Sequence, residues 1–345
     1  KSLSVINDSL KHYNEIANLE SIPQEYLNPQ LISWTVNLKR DFEKGKQHSV
    51  KASSMTISSY RPFTKQHIYF DYSLIERPGI NKRTFMTESE NRIILVSGVG
   101  SNKAFSALLV SNYPDYQTLF NTQCFPLYLY EENKAIDLFS TNSVLEKKSN
   151  ISSSFQSKFE RKLNISLPSE DIFYYLYGIL HSQDYRNTFE NDLKKMLPRI
   201  PLVDSVKDFW AFSKAGRKLA GLHVDYEDIP PYSAVTVNGD NGNYHVTKMK
   251  FPKKGVKDTI IYNSQITISN IPEKAYEYVV NGKSAIEWIM ERYQVKTDKN
   301  SGITNDPNDW CDEVNNPRYI LDLLLSIINV SVQTVDIVNN LPKLN

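Results

Sequence analysis

The sequence predicts an α+β protein, with a mixed sheet-containing N-terminal half and a more helical C-terminal half. Three observations carry that prediction. Between residues 55 and 130 the apolar residues fall in short β-branched and aromatic runs punctuated by Gly98, Gly100, Pro114 and Pro126, which is strand patterning. Beyond residue 154 they recur three and four apart over stretches longer than a short strand, which is helical patterning. Strand-like and helix-like stretches are segregated along the chain instead of alternating.

The elements follow in order. Residues 1–20 carry a helical pattern with little to pack against on their own. Leu31, Trp34, Thr35 and Leu38 share a helix face, and Lys39, Arg40, Lys44 and Lys46 gather at its C-terminal end, where cations suit the dipole. Met55, Ile57, Ile68-Tyr69-Phe70, Ile93–Val96, Phe105–Val110 and Phe125–Tyr130 are expected as short buried strands. Residues 131–154 are polar and close a first part. Pro168 and Ser169 open a helix with Glu170 and Asp171 in its first turn, carrying Phe173, Leu176, Tyr177 and Leu180. A second helix runs through Tyr185, Phe189, Leu193 and Leu197 to Pro198, and a third covers Phe209 to Leu222. Residues 223–270 return to strands, with a hairpin-like turn at Asn238–Asn243 flanked by Val246, Met249 and Phe251 and then by Ile260, Ile261, Ile266 and Ile268. Asn281 and Gly282 are expected to cap and turn into a helix carrying Ile286, Ile289, Met290 and Tyr293, and Asn305–Trp310 makes a polar turn ending in an indole. A last helix runs from Arg318 to Asn339. The expected divisions are 1–50, 51–150 and 151–345.

Composition narrows the functional classes. The chain has 345 residues, 40% hydrophobic and 23% charged, enough apolar material for one large or two ordinary domains. The net charge of +1 announces no strongly basic nucleic-acid binder, so any such role rests on clustering of charge instead of its sum. The 21 tyrosines suit stacking on bases and donation to phosphates as well as the rims of a core. Cys124 and Cys311 are the only cysteines and cannot build an all-thiolate zinc site. No run of 18 apolar residues predicts a membrane span, and no signal peptide is visible. The start at Lys1, already inside a helical pattern, is read as a piece of a longer polypeptide.

Several motifs tempt and fail. Ser97-Gly98-Val99-Gly100-Ser101-Asn102-Lys103 follows a strand, but lysine stands where a dinucleotide fingerprint has its third glycine, and the P-loop spacing is absent; a plain turn is the reading, with a phosphate loop as the rival. Ile229-Pro230-Pro231-Tyr232 sits one residue from the tetrapeptide of amino-methyltransferases, yet Ile229 has no acceptor for an amino group, so a rigid proline loop is expected. Asp115 with Glu146 and Lys148 copies the skeleton of a magnesium-dependent nuclease, with Glu146 in a polar stretch instead of a firm strand. The six histidines are scattered, and a capping or packing role is expected of His181.

What remains is cations beside aromatics and amides. Arg61 and Lys65 flank Pro62-Phe63-Thr64; Arg92 precedes a strand; Asn102 and Lys103 close the glycine turn. Lys194, Lys195 and Arg199 surround Met196-Leu197-Pro198; Arg217 stands on the next helix; Lys248 and Lys250 alternate on one face of an expected strand. Each alone is an ordinary solvated charge, and together they form the candidate DNA-binding set.

Long phrases give the chain a family. Tyr60-Arg61-Pro62-Phe63-Thr64-Lys65-Gln66, Gln123-Cys124-Phe125-Pro126-Leu127-Tyr128, Tyr174 through Ser182, Asp192 through Pro201, Asp208-Phe209-Trp210-Ala211-Phe212, Asn281 through Tyr293 and Asn305 through Trp310 resemble, in this order, the C-terminal target-recognition region of the type ISP restriction–modification enzymes. The resemblance covers essentially the whole chain. It implies a sequence-specific reader of double-stranded DNA that positions a target adenine for an upstream methyltransferase and gates an upstream ATPase motor and nuclease. It further implies that residues 1–50 form a helical junction to the methyltransferase, that 51–150 and 151–345 make up the recognition domain, and that the protein acts in the bacterial cytoplasm. S-adenosylmethionine, ATP and magnesium would belong to upstream domains, leaving this part without catalysis or cofactor. The rivals are the cryptic nuclease and a scaffold that docks the other domains without reading sequence.

Overall fold

A computed structural model describes residues 2–28, 31–72, 74, 75, 84, 91–133, 144–299, 302 and 304–344. The chain divides into two compact units, Lys1–Ser58 with Lys65–Thr87, and Ser59–Thr64 with Glu88–Asn345.

The first unit holds α1 (Ser2–Ile16), α2 (Val36–Glu43), the first part of β1 (Met55–Arg61) and most of β2 (Thr64–Tyr69). Its core is small: Tyr13, Ile16, Ala17, Ile32, Leu38 and Phe42. The Tyr13 hydroxyl donates to the Lys46 carbonyl at 2.9 Å, so the one polar atom on this buried ring is satisfied. Thr35 was expected on a helix face. It instead caps α2, its hydroxyl accepting from the Leu38 amide at 3.1 Å, and Leu31 and Trp34 precede the helix. Met55, Ile57 and Ile68–Phe70, expected to be buried, are half-buried.

The second unit is built on an antiparallel sheet ordered β4-β3-β6, from β3 (Ile93–Val96), β4 (Ala107–Val110) and β6 (Gln123–Pro126). Ile93 pairs with Val110 on one side and Pro126 on the other, and Val96 with Ala107 and Gln123. All residues of β3 and β4 are buried, whereas β6 is an edge strand with Gln123, Cys124 and Phe125 exposed. Ile94, Val96, Ala107 and Leu109 join one core with Phe159, Phe173, Tyr175, Phe209, Phe212 and Leu219. Those residues come from α3 (Ser153–Leu163), α4 (Ser169–His181) and α7 (Val206–Val224). This core runs across residue 150, where a division was expected. The polar stretch 131–154 contributes instead to a hairpin of β7 (Tyr128–Asn133) and β8 (Val144–Ser149), and to Ser152, which caps α3.

Helices α4 and α7 cross at two glycines. A Cβ on Gly178 would lie 2.3 Å from the Phe212 carbonyl oxygen, and one on Gly216 would lie 1.9 Å from that of Tyr174. Only hydrogen fits at either place, so the backbones touch. That approach lets Tyr175 stack on Phe209 with ring centroids 5.0 Å apart, an arrangement worth about 0.5–1.5 kcal/mol beyond burial. The helix expected from Tyr185 to Leu197 is two short ones, α5 (Gln183–Thr188) and α6 (Glu190–Leu193), broken at Phe189. The helix has already ended before Pro198, as the restriction on residues preceding proline favours.

Further on, β9 (Thr236–Asn238), β10 (Ile260–Ile261) and β11 (Thr267–Ser269) form a small antiparallel sheet ordered β10-β11-β9. Val246 to Phe251 form no strand beyond a single bridge of Lys250 to Ile261. The Asn308 side chain takes the partner's place there, accepting from the Val246 amide at 3.0 Å and donating to its carbonyl at 2.8 Å. The Asn305–Trp310 phrase is therefore not a plain turn: Asn308 and Trp310 lie on the helix α9 (Asn308–Glu313).

The expected cap at Asn281 is corrected. Asn281 and Gly282, at φ 48° and 82°, make the turn between β12 (Val279–Val280) and β13 (Lys283–Ser284), as a two-residue hairpin demands. Ser284 caps α8 (Ala285–Arg292) in a reciprocal capping box with Glu287. The last helix, α10 (Tyr319–Asn339), is long and apolar enough to cross a membrane although it contains no unbroken run of 18 apolar residues. Its apolar window is 72% buried within the protein, which makes it a core helix.

Candidate nucleic-acid interface

Three groups of side chains collect most of the sequence-predicted site residues. The first is built around the turn after β3. Gly98 is there because the backbone of Asn121 passes over it: a Cβ would lie 2.3 Å from the Asn121 carbonyl oxygen. The Gly98 amide donates to the Phe120 carbonyl at 2.9 Å, and the Gly100 amide donates to the Lys194 carbonyl at 3.2 Å. Both glycine amides are thus committed inside the protein, and the turn is a packing device, not a phosphate cradle. The consequence is a juxtaposition: exposed Asn102 and Lys103 at the end of this turn are brought to the exposed Lys194-Lys195 segment. Lys103 lays its alkyl stem against Gly282, where a Cβ would meet its Cδ at 2.9 Å. Lys194 forms an ion pair with Glu190 at 2.6 Å, four residues back.

The second group is the segment from β5 (Tyr113–Pro114) to β6. Arg61 reaches Asp115 at 2.7 Å, and the same carboxylate oxygen accepts from the Gln117 amide at 2.7 Å. The Thr118 hydroxyl is buried and donates at 2.8 Å towards the Ser59 and Asp115 carbonyls. Arg61, chosen as a DNA contact, is half-buried and anchors the base of this loop. Asp115, the first carboxylate of the supposed nuclease, is occupied by that arginine. Glu146 lies on β8, where Lys148 pairs with Glu131 at 2.9 Å and Glu146 at 3.4 Å. No group of three His, Cys, Asp or Glu residues suited to a metal exists among the described residues. With Asp115 held by Arg61 the nuclease reading is not favoured, and the expectation that Glu146 lies outside a strand is corrected.

The third group lies at the N-terminal end of α4. Arg217 forms an ion pair with Asp171 at 2.8 Å and stands 4.1 Å from the centre of the Tyr174 ring. Burial raises the Tyr174 phenol above its ordinary range, and the charges of Arg217 and then Arg92 oppose the rise. Lys147 covers the Tyr128 ring at 3.8 Å, and the Tyr128 hydroxyl donates to Glu170. Arg217 and Lys147 are internally partnered, the first by a carboxylate and a ring and the second by a ring.

The remaining residues stand apart. Lys248 and Lys250 are exposed on either side of buried Met249, although the strand expected to align them is absent. Arg199 is exposed and borders an apolar cavity of about 380 Å³ with Phe125, Asn150 and Phe155. Lys65 belongs to the first unit and is half-buried. The near-methyltransferase loop is held by α10: the Ser326 hydroxyl donates to the Ile229 carbonyl and the Asn329 amide to that of Pro230, the latter at 2.7 Å.

A search for cationic clusters overlooks Tyr116, Gln117, Phe120, Asn121 and Gln123. Tyr116 is 61% exposed, Phe120, Gln117 and Gln123 are exposed, and Asn121 is half-buried. Their signal in the sequence was an amide- and aromatic-rich stretch bounded by Pro114 and Pro126.

The family model for the Type ISP C-terminal specificity domain matches residues 2–323. A comparison with curated protein sequences gives no match. Among solved structures, the chain is 41% identical, with a TM-score of 0.87, to an ATP-dependent Type ISP restriction-modification enzyme, LlaBIII, bound to DNA; the match covers 99% of this chain and 22% of that one. It is 38% identical, with a TM-score of 0.80, to a nuclease-deletion mutant of the Type ISP enzyme LlaGI in complex with a DNA substrate mimic, over 98% of this chain and 30% of that one. A DrdV–DNA complex matches at 27% identity and a TM-score of 0.81, over 99% of this chain and 34% of that one. The chain spans about a third or less of each of these proteins. It belongs to the family of Type ISP C-terminal specificity domains.

Proposed function

We propose that this chain recognises a specific sequence in double-stranded DNA as the target-recognition part of a Type ISP restriction–modification enzyme. The observation that carries this reading is the match over 99% of the chain to a Type ISP enzyme bound to DNA. The cationic turn supports it: Lys103 and Lys195 are exposed beside a loop rich in amides, which is the mixture that phosphate positioning and base reading require together. Arg199, Lys248 and Lys250 add exposed positive charge elsewhere, whereas Arg61 and Arg217 brace the surfaces that carry them.

Within the larger enzyme this part positions a target adenine for the methyltransferase and gates the ATPase motor and nuclease. It works in the cytoplasm, where the DNA is. S-adenosylmethionine, ATP and magnesium serve domains elsewhere in the polypeptide, and this chain by itself neither methylates nor cuts. Detectable turnover of either kind by the purified chain contradicts that assignment.

The cations test the electrostatic half. Replacing Lys103 and Lys195 by alanine weakens binding to all duplexes alike and lowers the slope of log affinity against log salt by about 2, at roughly 0.9 for each phosphate no longer neutralised. Lys194→Ala has a smaller effect, since Glu190 already offsets its charge. Fluorescence titration of a labelled duplex across a salt series measures both, and an unchanged slope in the double variant removes this turn from the interface.

A further inference from the structure

We propose that the loop Tyr116–Gln123 is the base-reading element of this domain, with Gln117 as the amide that reads an adenine in the major groove and Asn121 as the residue that positions it. The inference rests on the DNA-recognition reading above and assigns chemistry to residues outside the cationic set. Gln117 is exposed, and its Nε2 donates to Asn121 Oδ1 at 3.3 Å. The amide nitrogen carries two protons, so one fixes the side chain against Asn121 while the other remains beside Oε1. Among the described residues, Oε1 accepts no hydrogen bond. A donor and an acceptor side by side on one braced amide match the N7 acceptor and N6 donor of adenine.

The loop beneath is held rigidly. Asp115 Oδ1 accepts from the Gln117 amide, the Thr122 hydroxyl accepts from the Leu119 amide at 2.9 Å, and the Thr122 amide donates to the Tyr116 carbonyl at 2.8 Å. Gln123 Nε2 donates to the Asn121 carbonyl at 3.2 Å. Phe120 and Asn121 both adopt left-handed backbone, at φ 69° and 46°. Asparagine tolerates that region, whereas a phenylalanine does so only where its surroundings impose it. The imposition comes from the Gly98 contact, and its result is an apolar ring displayed 36% exposed beside the amides, suited to a thymine methyl group. The same Gly98–Lys103 turn carries Lys103 and adjoins Lys194-Lys195, so phosphate-binding charge lies next to the amides.

Selection from a random duplex pool, followed by sequencing, tests the assignment with the wild-type protein, Gln117→Ala and Gln117→Glu. The exposed position and a thermal melt control for folding. The wild-type protein is expected to enrich a sequence containing an A·T pair at which Gln117→Ala loses roughly 5- to 150-fold of its preference while the other positions persist. Gln117→Glu, an acceptor without the amide donor, shifts that position towards cytosine. Identical enrichment by all three proteins overturns the proposal. So does an equal loss at every position by a folded Gln117→Ala, which would make the residue a brace. If the wild-type protein enriches no sequence, the DNA-recognition reading falls and this assignment falls with it.

Discussion

His223 is fully buried between Tyr177, whose hydroxyl lies 2.6 Å from Nδ1, and Thr334, whose hydroxyl lies 3.0 Å from Nε2, and it stacks on Tyr278 at 5.1 Å. Burial, with the Arg186 charge added, pushes its pKa down from 6.5 to about 3, and burial pushes that of His181 down as well. Both imidazoles are neutral in the fold. In the unfolded chain they take up protons near their ordinary pKa, so between those two limits the unfolded state binds more protons. Stability is therefore full above about pH 6.5 and falls as the pH drops towards 3. For His223 alone the loss between about pH 7 and pH 4 is on the order of 3 kcal/mol. Denaturant midpoints across that range, in wild type and His223→Gln, measure it. The glutamine keeps hydrogen-bonding capacity and does not titrate, so its acid loss is smaller; an equal loss places the acid sensitivity elsewhere. The sequence showed six scattered histidines and suggested capping or packing for His181. It could not show that His223 joins α7 to α10, because Thr334 is 111 residues away.

At the scale of elements, the paired glycines of α4 and α7 decide how closely the helices approach. Gly216→Ala places a methyl group against the Tyr174 carbonyl, and the helices must separate. The expected cost is about 1–3 kcal/mol, read as a lower denaturant midpoint with an unchanged slope. Gly221, on the same helix, meets nothing within 4 Å. Gly221→Ala is therefore expected to be neutral or stabilising by up to about 1 kcal/mol, and it serves as the control. Helices were legible where an apolar period met a clear stop: α4 begins after Pro168 as read, and α10 starts within a residue of its expected position. The reading failed where a side chain replaced a backbone partner. Asn308 satisfies Val246 and so removes the need for a strand there. Ser284 and Glu287 cap α8, a role given to Asn281, because asparagine before a helix signals a cap and a left-handed turn equally well. The candidate site was legible as charge, since cations are conspicuous in a sequence. The amide loop was not, because its order depends on a contact between Gly98 and Asn121, 23 positions apart.

For the whole molecule, the α+β class and the family were both legible, the first from segregated patterning and the second from long phrases in order. Composition does not show that Ile94 and Leu109 share one core with Phe159 and Phe209 across residue 150, since a polar hairpin and a linker look alike in composition. A near-neutral chain can still bind DNA if its charge is unevenly placed, and here carboxylates neutralise Arg61 and Arg217 while Lys103 and Lys195 remain exposed. In the proposed role this surface reads sequence and does not merely attract phosphate. The most direct measurement is enrichment of the wild-type protein on a random duplex pool at low and then moderate salt. One motif is expected, with enrichment that persists as salt rises. Binding that fades steeply with salt and enriches nothing would contradict it and leave a scaffold that touches DNA without reading it.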